Sequence, residues 1–341
     1  KKYSNSYFKP EIIDVFGEWE DINQKNSEID FYKFRGLHFI NKISSNGFFL
    51  SRIKYILIFI FSIYPLLRYL KNKKPNFLII HLMTSLPLFL NIIFRFKTKI
   101  ILRISGMPKL NFVRYMFWKI SLTFIDKITF PTKETYENFK KLKITDDKKL
   151  FVLYDPILNT NEILKKKTKK NIDSKNEYGD YFLCIGRLTK QKNFHFLIEC
   201  FKEISKFNNN FKVLILGNGE EEKVLTNLIK KYNLQNNIYL LGFKTNVFKY
   251  FKRAKGFILS SLWEDPGWVL VEAIYSNTAV ISSDCPSGPK EIVGSNRGIL
   301  FKNNSKKDFI EKFNYFESLD KKTILNIKKK AKKKIIQFTL L

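Results

Sequence analysis

Two glutamates eight positions apart, Glu264 and Glu272, stand in the segment Ser261-Leu-Trp-Glu-Asp-Pro-Gly-Trp-Val-Leu-Val-Glu272. The apolar run Gly256-Phe-Ile-Leu-Ser260 before it reads as a buried parallel strand. After it, Val269, Leu270, Ala273 and Ile274 recur at helical spacing, so a helix is expected to begin near Pro266 or Gly267, where proline is tolerated. A strand, a tight loop and a helix N-terminus in that order make an anion cradle: the first N–H groups of a helix lack partners, its dipole is positive there, and Gly267 lets a ligand approach the backbone. One carboxylate before the helix and one in its second turn suit the hydroxyls of a sugar or a ribose. Taken out of that context, two glutamates are usually solvated side chains.

A second cluster has the same form. Tyr181-Phe-Leu-Cys-Ile185 reads as a strand, followed by Gly186-Arg-Leu-Thr-Lys-Gln-Lys-Asn193 and a helix through Phe194, Phe196, Leu197 and Cys200. Arg187 and Lys192 in that loop would clamp a diphosphate, the guanidinium as a planar fork and the ammonium as a point charge. Further back, Asn76-Phe-Leu-Ile-Ile80 ends at His81, and Lys99-Ile-Ile-Leu-Arg-Ile104 carries Arg103 just before Ser105-Gly106. Ligands of open α/β sheets sit beyond the carboxyl ends of strands. His81 is therefore a candidate site residue, with a purely structural strand-end histidine as the alternative, and Arg103 a candidate contact for an acceptor phosphate.

Together these stretches resemble retaining GT-B glycosyltransferases, the large family usually numbered four. The Glu, seven residues, Glu spacing, the Gly-Arg-Leu to Lys segment and the run from Pro75 through a strand to His81 carry the resemblance, which is dense from about 181 to 302 and thinner before. It implies that Glu264 holds the donor sugar, Glu272 the ribose, Arg187 and Lys192 the diphosphate, and that His81 lies beside the reacting sugar. It also places Gly186, Gly217, Gly242, Phe243, Pro266, Gly267, Trp268 and Val269 on the donor side, with Trp268 where Phe is more usual. Gly217 and Gly219 are otherwise turn residues after a strand, and they form no dinucleotide-binding glycine motif. Cys285-Pro-Ser-Gly-Pro289 resembles the version found in enzymes that extend surface polysaccharides and lipid-linked glycans. Cys285 itself has no His or Asn partner recognisable as a nucleophile's base.

The elements that must position these residues alternate between strand and helix. Lys127-Ile-Thr-Phe130 precedes Pro131 and a helix to Leu142; Phe151-Val-Leu-Tyr154 ends a first half; Lys212-Val-Leu-Ile-Leu216, Asn237-Ile-Tyr-Leu-Leu241 and Ala279-Val-Ile-Ser282 continue in the second. Such alternation predicts doubly wound parallel sheets. The fold class expected is α/β, GT-B, with two Rossmann-like domains facing each other across a cleft. Residues 1–165 would form the acceptor side, 166–320 the nucleotide-sugar domain, and 321–341 a lysine-rich helix crossing back. The lysine-heavy polar run from Leu164 to Asp180 reads as the linker. Ile12-Ile-Asp-Val-Phe16 is a strand candidate, and the glycine-rich opening unit of such enzymes is expected to be missing.

Composition sets outer bounds. The chain has 341 residues, a formal charge of +30, and 61 Lys plus Arg against 31 Asp plus Glu, mostly lysine. Richness in Ile, Asn, Phe and Tyr points to nucleotide bias as much as to selection for charge. The remainder favours an anionic surface, such as the cytoplasmic leaflet of a membrane or a phosphorylated lipid. Cys184, Cys200 and Cys285 are too few for a disulfide framework, and His38, His81 and His195 lack ligand spacing, so no protein-bound metal is expected. No cofactor is expected either, the nucleotide sugar, a UDP-hexose by default, being a substrate. The apolar window Tyr55–Leu67, flanked by Arg52, Lys54, Arg68 and Lys71, is too short at 13 residues to cross a bilayer; it reads as a core helix or an interfacial one.

The expected protein is a metal-independent hexosyltransferase, cytoplasmic or peripheral at the inner membrane face, acting on a glycan or lipid-linked acceptor. The rivals are a basic nucleic-acid-binding protein, disfavoured because lysines are spread along the whole chain, and an inactive GT-B scaffold.

Overall fold

The structure, a computed structural model, describes residues 9–15, 30–34, 40, 48–81, 85–108, 110–155, 158 and 178–338. The stretch from Gly17 to Asp21, the linker run from Leu164 to Lys170 and the expected boundary at 165 and 166 lie outside the described residues. The chain divides into two compact units. One comprises Lys1–Arg103, Leu110–Ile128 and Ile144–Lys149; the other comprises Ile104–Lys109, Thr129–Lys143 and Leu150–Leu341.

Short apolar runs become strands throughout. β1 (Glu11–Asp14) and β2 (Asp30–Lys33) form a small parallel pair. β3 (Phe77–Ile80), β4 (Lys99–Arg103), β5 (Lys127–Phe130) and β6 (Leu150–Val152) form a four-stranded sheet in that order, and β3 and β4 run parallel. The largest sheet has six strands: β7 (Tyr181–Ile185), β8 (Val213–Leu216), β9 (Ile238–Leu240), β10 (Ala254–Leu259), β11 (Val280–Asp284) and β12 (Ile299–Lys302). Its order is β12-β11-β10-β7-β8-β9, and every neighbouring pair is parallel.

β7 and β8 are buried almost end to end, as a sheet covered on both faces requires. On one face lie helices Phe194–Ser205 and Lys306–Ser318, whose Phe201, Phe309 and Phe313 join Phe182 in an aromatic cluster; the Phe182 and Phe313 rings are 4.9 Å apart. The other face buries Leu214, Leu216 and Leu259 against Leu270 and Ile274 of helix Trp268–Tyr275, together with Phe338. The helix Lys321–Lys334 starts at Asp320, whose side chain accepts the Thr323 N–H, and leads to Phe338, which packs edge-on to Tyr154 at 5.1 Å.

In the first unit the 13-residue window Tyr55–Leu67 proves to be the middle of a 26-residue helix, α1 (Phe48–Lys73), and this corrects the length argument made from sequence. Its part Arg52–Lys73 has a most apolar stretch of mean hydropathy 1.6 and is long and apolar enough to cross a membrane. The flanking cations bounded the window without ending the helix, because Arg and Lys are good helix formers. Ile58, Ser62, Leu66, Tyr69 and Leu70 are buried on one side of α1.

Candidate functional site

The six-stranded sheet is wound outward from its middle. From β7 the chain moves through β8 to β9 on one side, then returns through β10 to β11 and β12 on the other. The loops after β7 and β10 therefore leave adjacent strands in opposite directions, and a crevice opens between them at the carboxyl edge. These are the loops that carry Gly186–Asn193 and Ser260–Gly267.

Side chains from both loops meet there. Lys192 Nζ lies 2.6 Å from Glu264 Oε1, with the lysine side chain 15% and the glutamate 5% exposed. Ser261 Oγ donates to the same Oε1 at 2.5 Å, while Oε2 has no partner among the described residues. The loops are fastened to each other at backbone carbonyls: Leu262 N–H donates to Gln191 O at 2.8 Å, Gln191 Nε2 to Trp263 O at 2.9 Å, and Ser260 Oγ to Lys192 O at 2.8 Å. A buried ion pair is retained only with good geometry and further hydrogen bonds, and this one has both.

Close backbone packing shapes the floor. Gly217, at φ +139°, sits so near β7 that an added Cβ would come within 2.0 Å of Gly186 O. An added Cβ on Gly186 would come within 3.0 Å of the Lys192 stem, so the small residue makes room for the lysine to lie across it. Gly242 O accepts the Gly217 N–H at 3.0 Å, and Asn218 Oδ1 accepts the Phe243 N–H at 2.7 Å. This ties the ends of β8 and β9 together, and the Phe243 ring stays exposed. Gly267 is left-handed (φ +87°, ψ +53°) and caps α2 (Trp268–Tyr275 in the second unit), so the helix opens at Trp268, one residue beyond the expected start. Pro266 lies just outside the helix. The first amides of the helix have no carbonyl of a preceding turn to bond.

Glu272 is half-buried in the second turn of α2, and Trp268 and Val269 pack against the buried apolar cluster, Trp268 edge-on to Phe338 at 5.8 Å. Arg187 is exposed in the loop after β7. The structure thus joins Lys192, Glu264 and Gly186 by contact, and gathers Arg187, Gly217, Gly242, Phe243, Pro266 and Gly267 at the same edge of one sheet. His81 and Arg103 belong to the first unit: His81 is exposed at the carboxyl end of β3, and Arg103 is buried as the last residue of β4.

Several participants were not anticipated from sequence. Ser261 precedes Glu264 by three residues within the loop, and its bond is to the carboxylate and not to a helix N-terminus, so no capping pattern in the sequence points to it. Asp265 lies against Gly106, where an added Cβ would be 2.8 Å from Oδ2. Partial burial, then the neighbouring Glu264, push its carboxyl up to about 6, with Lys192 opposing. Glu134 Oε2 accepts the N–H groups of Ser287 and Gly288 at 3.1 and 3.3 Å, and Pro286 O in the same loop accepts the Glu264 N–H at 3.0 Å. Glu291 accepts the Lys133 N–H at 2.8 Å and the Tyr154 hydroxyl at 2.5 Å. Sequence separations of 153 and 158 leave no local signal for Glu134 or for the Glu291 bond to Lys133. Burial pushes the Cys285 thiol up to about 12, so it is no thiolate nucleophile near neutral pH. A hollow of about 290 Å³ is lined by Thr189, Asn193, Glu221 and Leu262 but by neither Lys192 nor Glu264, so its size says nothing of the chemistry.

Residues 165–334 match the family described as glycosyl transferases group 1. The chain belongs to that family. An uncharacterized glycosyltransferase of Methanocaldococcus jannaschii is 35% identical over 247 residues, 67% of this chain and 61% of the relative. The N-acetylgalactosamine-N,N'-diacetylbacillosaminyl-diphospho-undecaprenol 4-alpha-N-acetylgalactosaminyltransferase of Campylobacter jejuni is 28% identical over 60% of this chain and 56% of its own length. The matched region therefore spans about three fifths of these glycosyltransferases. Among solved structures, a glycosyltransferase from Rickettsia africae superposes with a TM-score of 0.73 at 17% identity, covering 98% of this chain and 86% of that one. HepE of Anabaena, solved with UDP and glucose, gives 0.68 at 13% identity over 98% and 96%. The group 1 chain has the GT-B fold class, with Rossmann-like parallel sheets.

Proposed function

We propose that the protein is a retaining glycosyltransferase that moves a hexose from a nucleotide-sugar donor, a UDP-sugar by default, to a glycan or lipid-linked acceptor in cell-surface polysaccharide synthesis at the inner face of the membrane. The observation that carries this reading is the Lys192–Glu264 pair in the crevice between β7 and β10, with Arg187 in the loop that bears the lysine. Cleaving a sugar from a diphosphate builds negative charge on the leaving phosphate and positive charge on the anomeric carbon. The Lys192 ammonium has three donors and serves both Glu264 and a phosphate oxygen, while Arg187 offers a fork to a second phosphate. The first amides of α2 add fixed dipoles, so the site stabilises the leaving group by preorganised charge and uses no metal.

Glu264 Oε1 is occupied by Lys192 and Ser261, which leaves Oε2 to accept a sugar hydroxyl. Glu272, one helical turn and more beyond, accepts the ribose hydroxyls. His81 is assigned a place beside the reacting sugar, and Arg103 a phosphate of the acceptor. The leaving phosphate takes the acceptor proton as the new bond forms on the same face. The relative acting on a diphospho-undecaprenol glycan and the Staphylococcus aureus poly(ribitol-phosphate) alpha-N-acetylglucosaminyltransferase support a surface-glycan acceptor.

The test is turnover of a panel of UDP-, GDP- and ADP-sugars with polyprenyl-diphosphate and glycan acceptors, the anomeric configuration of the product being read by NMR. The reading requires one nucleotide class to be consumed with retention. Inversion of configuration, or absence of turnover with every donor, contradicts it.

A further inference from the structure

Between Asp30 and Asp126 the chain contains no acidic residue at all, over 95 positions that carry 16 Lys and Arg. At the chain's average frequency of 31 in 341, about nine acids would fall there. Lysines are spread along the molecule, whereas acids are excluded from this stretch, most of which belongs to the first unit.

The same part exposes apolar side chains in order. On α1, Ile53, Ile56, Ile60 and Tyr64 follow at steps of three and four and are 46, 58, 53 and 68% exposed. They form one stripe opposite the buried Ile58, Ser62, Leu66 and Leu70. The stripe begins beside Arg52 and Lys54 and runs on into Arg68 and Lys71. A second helix of this unit, Ser85–Phe94, adds the exposed Phe89 and Ile93 and lies against α1, with the rings of Phe59 and Phe89 6.0 Å apart and Lys71 Nζ 4.7 Å over Phe94. A solvated helix face carries polar residues; this one is apolar for about 18 Å and bordered by cations at both ends.

We infer that this face docks on an anionic lipid bilayer, with α1 lying in the interface. Its stripe enters the acyl boundary, and Arg52, Lys54, Arg68 and Lys71 meet lipid phosphates. Charge complementarity names the occupant: apolar side chains rimmed only by cations fit a surface that offers hydrocarbon beneath phosphate. Although α1 is long enough to span a membrane, its other side is committed to the protein core, and cations at both ends of the stripe fit a helix held level with the headgroups. This deepens the acceptor half of the proposed function and rests on it only for the purpose of the docking.

The experiment is co-sedimentation of the full chain with vesicles of phosphatidylglycerol and phosphatidylcholine, compared with phosphatidylcholine alone, at 0.1 M salt. UDP-sugar binding is measured in parallel. Binding to the anionic vesicles is expected, with at least tenfold weaker partition for the Ile56→Glu/Ile60→Glu variant and for Arg68→Glu/Lys71→Glu, while donor binding stays unchanged in both. Equal sedimentation of wild type and both variants overturns the inference. So does absence of vesicle binding, or a dimer in sedimentation equilibrium that Ile56→Glu/Ile60→Glu dissociates without changing vesicle binding. Loss of donor binding in the wild type would sink the transfer reading alone.

Discussion

Lys192 and Glu264 are the residues on which site chemistry and stability meet. Removing the lysine leaves a carboxylate only 5% exposed with one hydroxyl partner, Ser261. Lys192→Met is expected to cost about 3 kcal/mol, because an uncompensated buried charge is more costly than the pair is favourable. Adding Glu264→Gln should restore part of that loss in thermal denaturation, and strict additivity of the two changes would contradict the coupling. Asp265 gives a pH signature. Its carboxyl ionises near 3.8 in the unfolded chain and near 6 in the folded one, so its contribution favours folding below pH 3.8 and is lost as pH rises through 6. The side chain is more than a third exposed, which shrinks the effect. Asp265→Asn should therefore raise Tm more at pH 7.5 than at pH 5. An equal change at both pH values would place the raised ionisation elsewhere.

At the scale of elements, the site depends on turns that only small residues permit. Gly217→Ala would drive a Cβ into Gly186 O and force an unfavourable φ, so a loss of about 2 kcal/mol and a lower Tm are expected, together with weaker donor binding. Unchanged melting would show that β7 and β8 ends are not packed as described. Glu134→Ala removes the acceptor for two amides of the loop that holds the Glu264 N–H, and should weaken donor binding severalfold while stability falls by about 1 kcal/mol. Much of this architecture was legible: the apolar runs of β7 and β8 are ended by Gly186 and Gly217, and Phe257–Leu259 of β10 by Ser260, so Gly186, Glu264 and their loops could be placed from spacing. The bonds of Glu134 and Glu291 were not, since they close over more than a hundred residues and leave no local pattern. The length of α1 was misread because charges were counted as ends, although Arg and Lys extend a helix readily.

For the whole molecule, the charge of +30 makes non-specific attraction to polyanions unavoidable. Retention of RNA or DNA is expected at low ionic strength and should fall steeply as salt rises, without sequence preference, while sugar transfer persists. Tight, salt-resistant and sequence-selective retention would instead favour nucleic-acid recognition. The distribution of charge says more than its sum, because acids are absent from residues 31–125 and frequent in the second unit. The central claim, that the crevice between β7 and β10 grips a nucleotide sugar, is tested most directly by backbone hydrogen exchange with and without UDP-sugar. Slowed exchange concentrated in 186–193 and 260–270 is the expected result, and protection confined to other segments, or none, would contradict it.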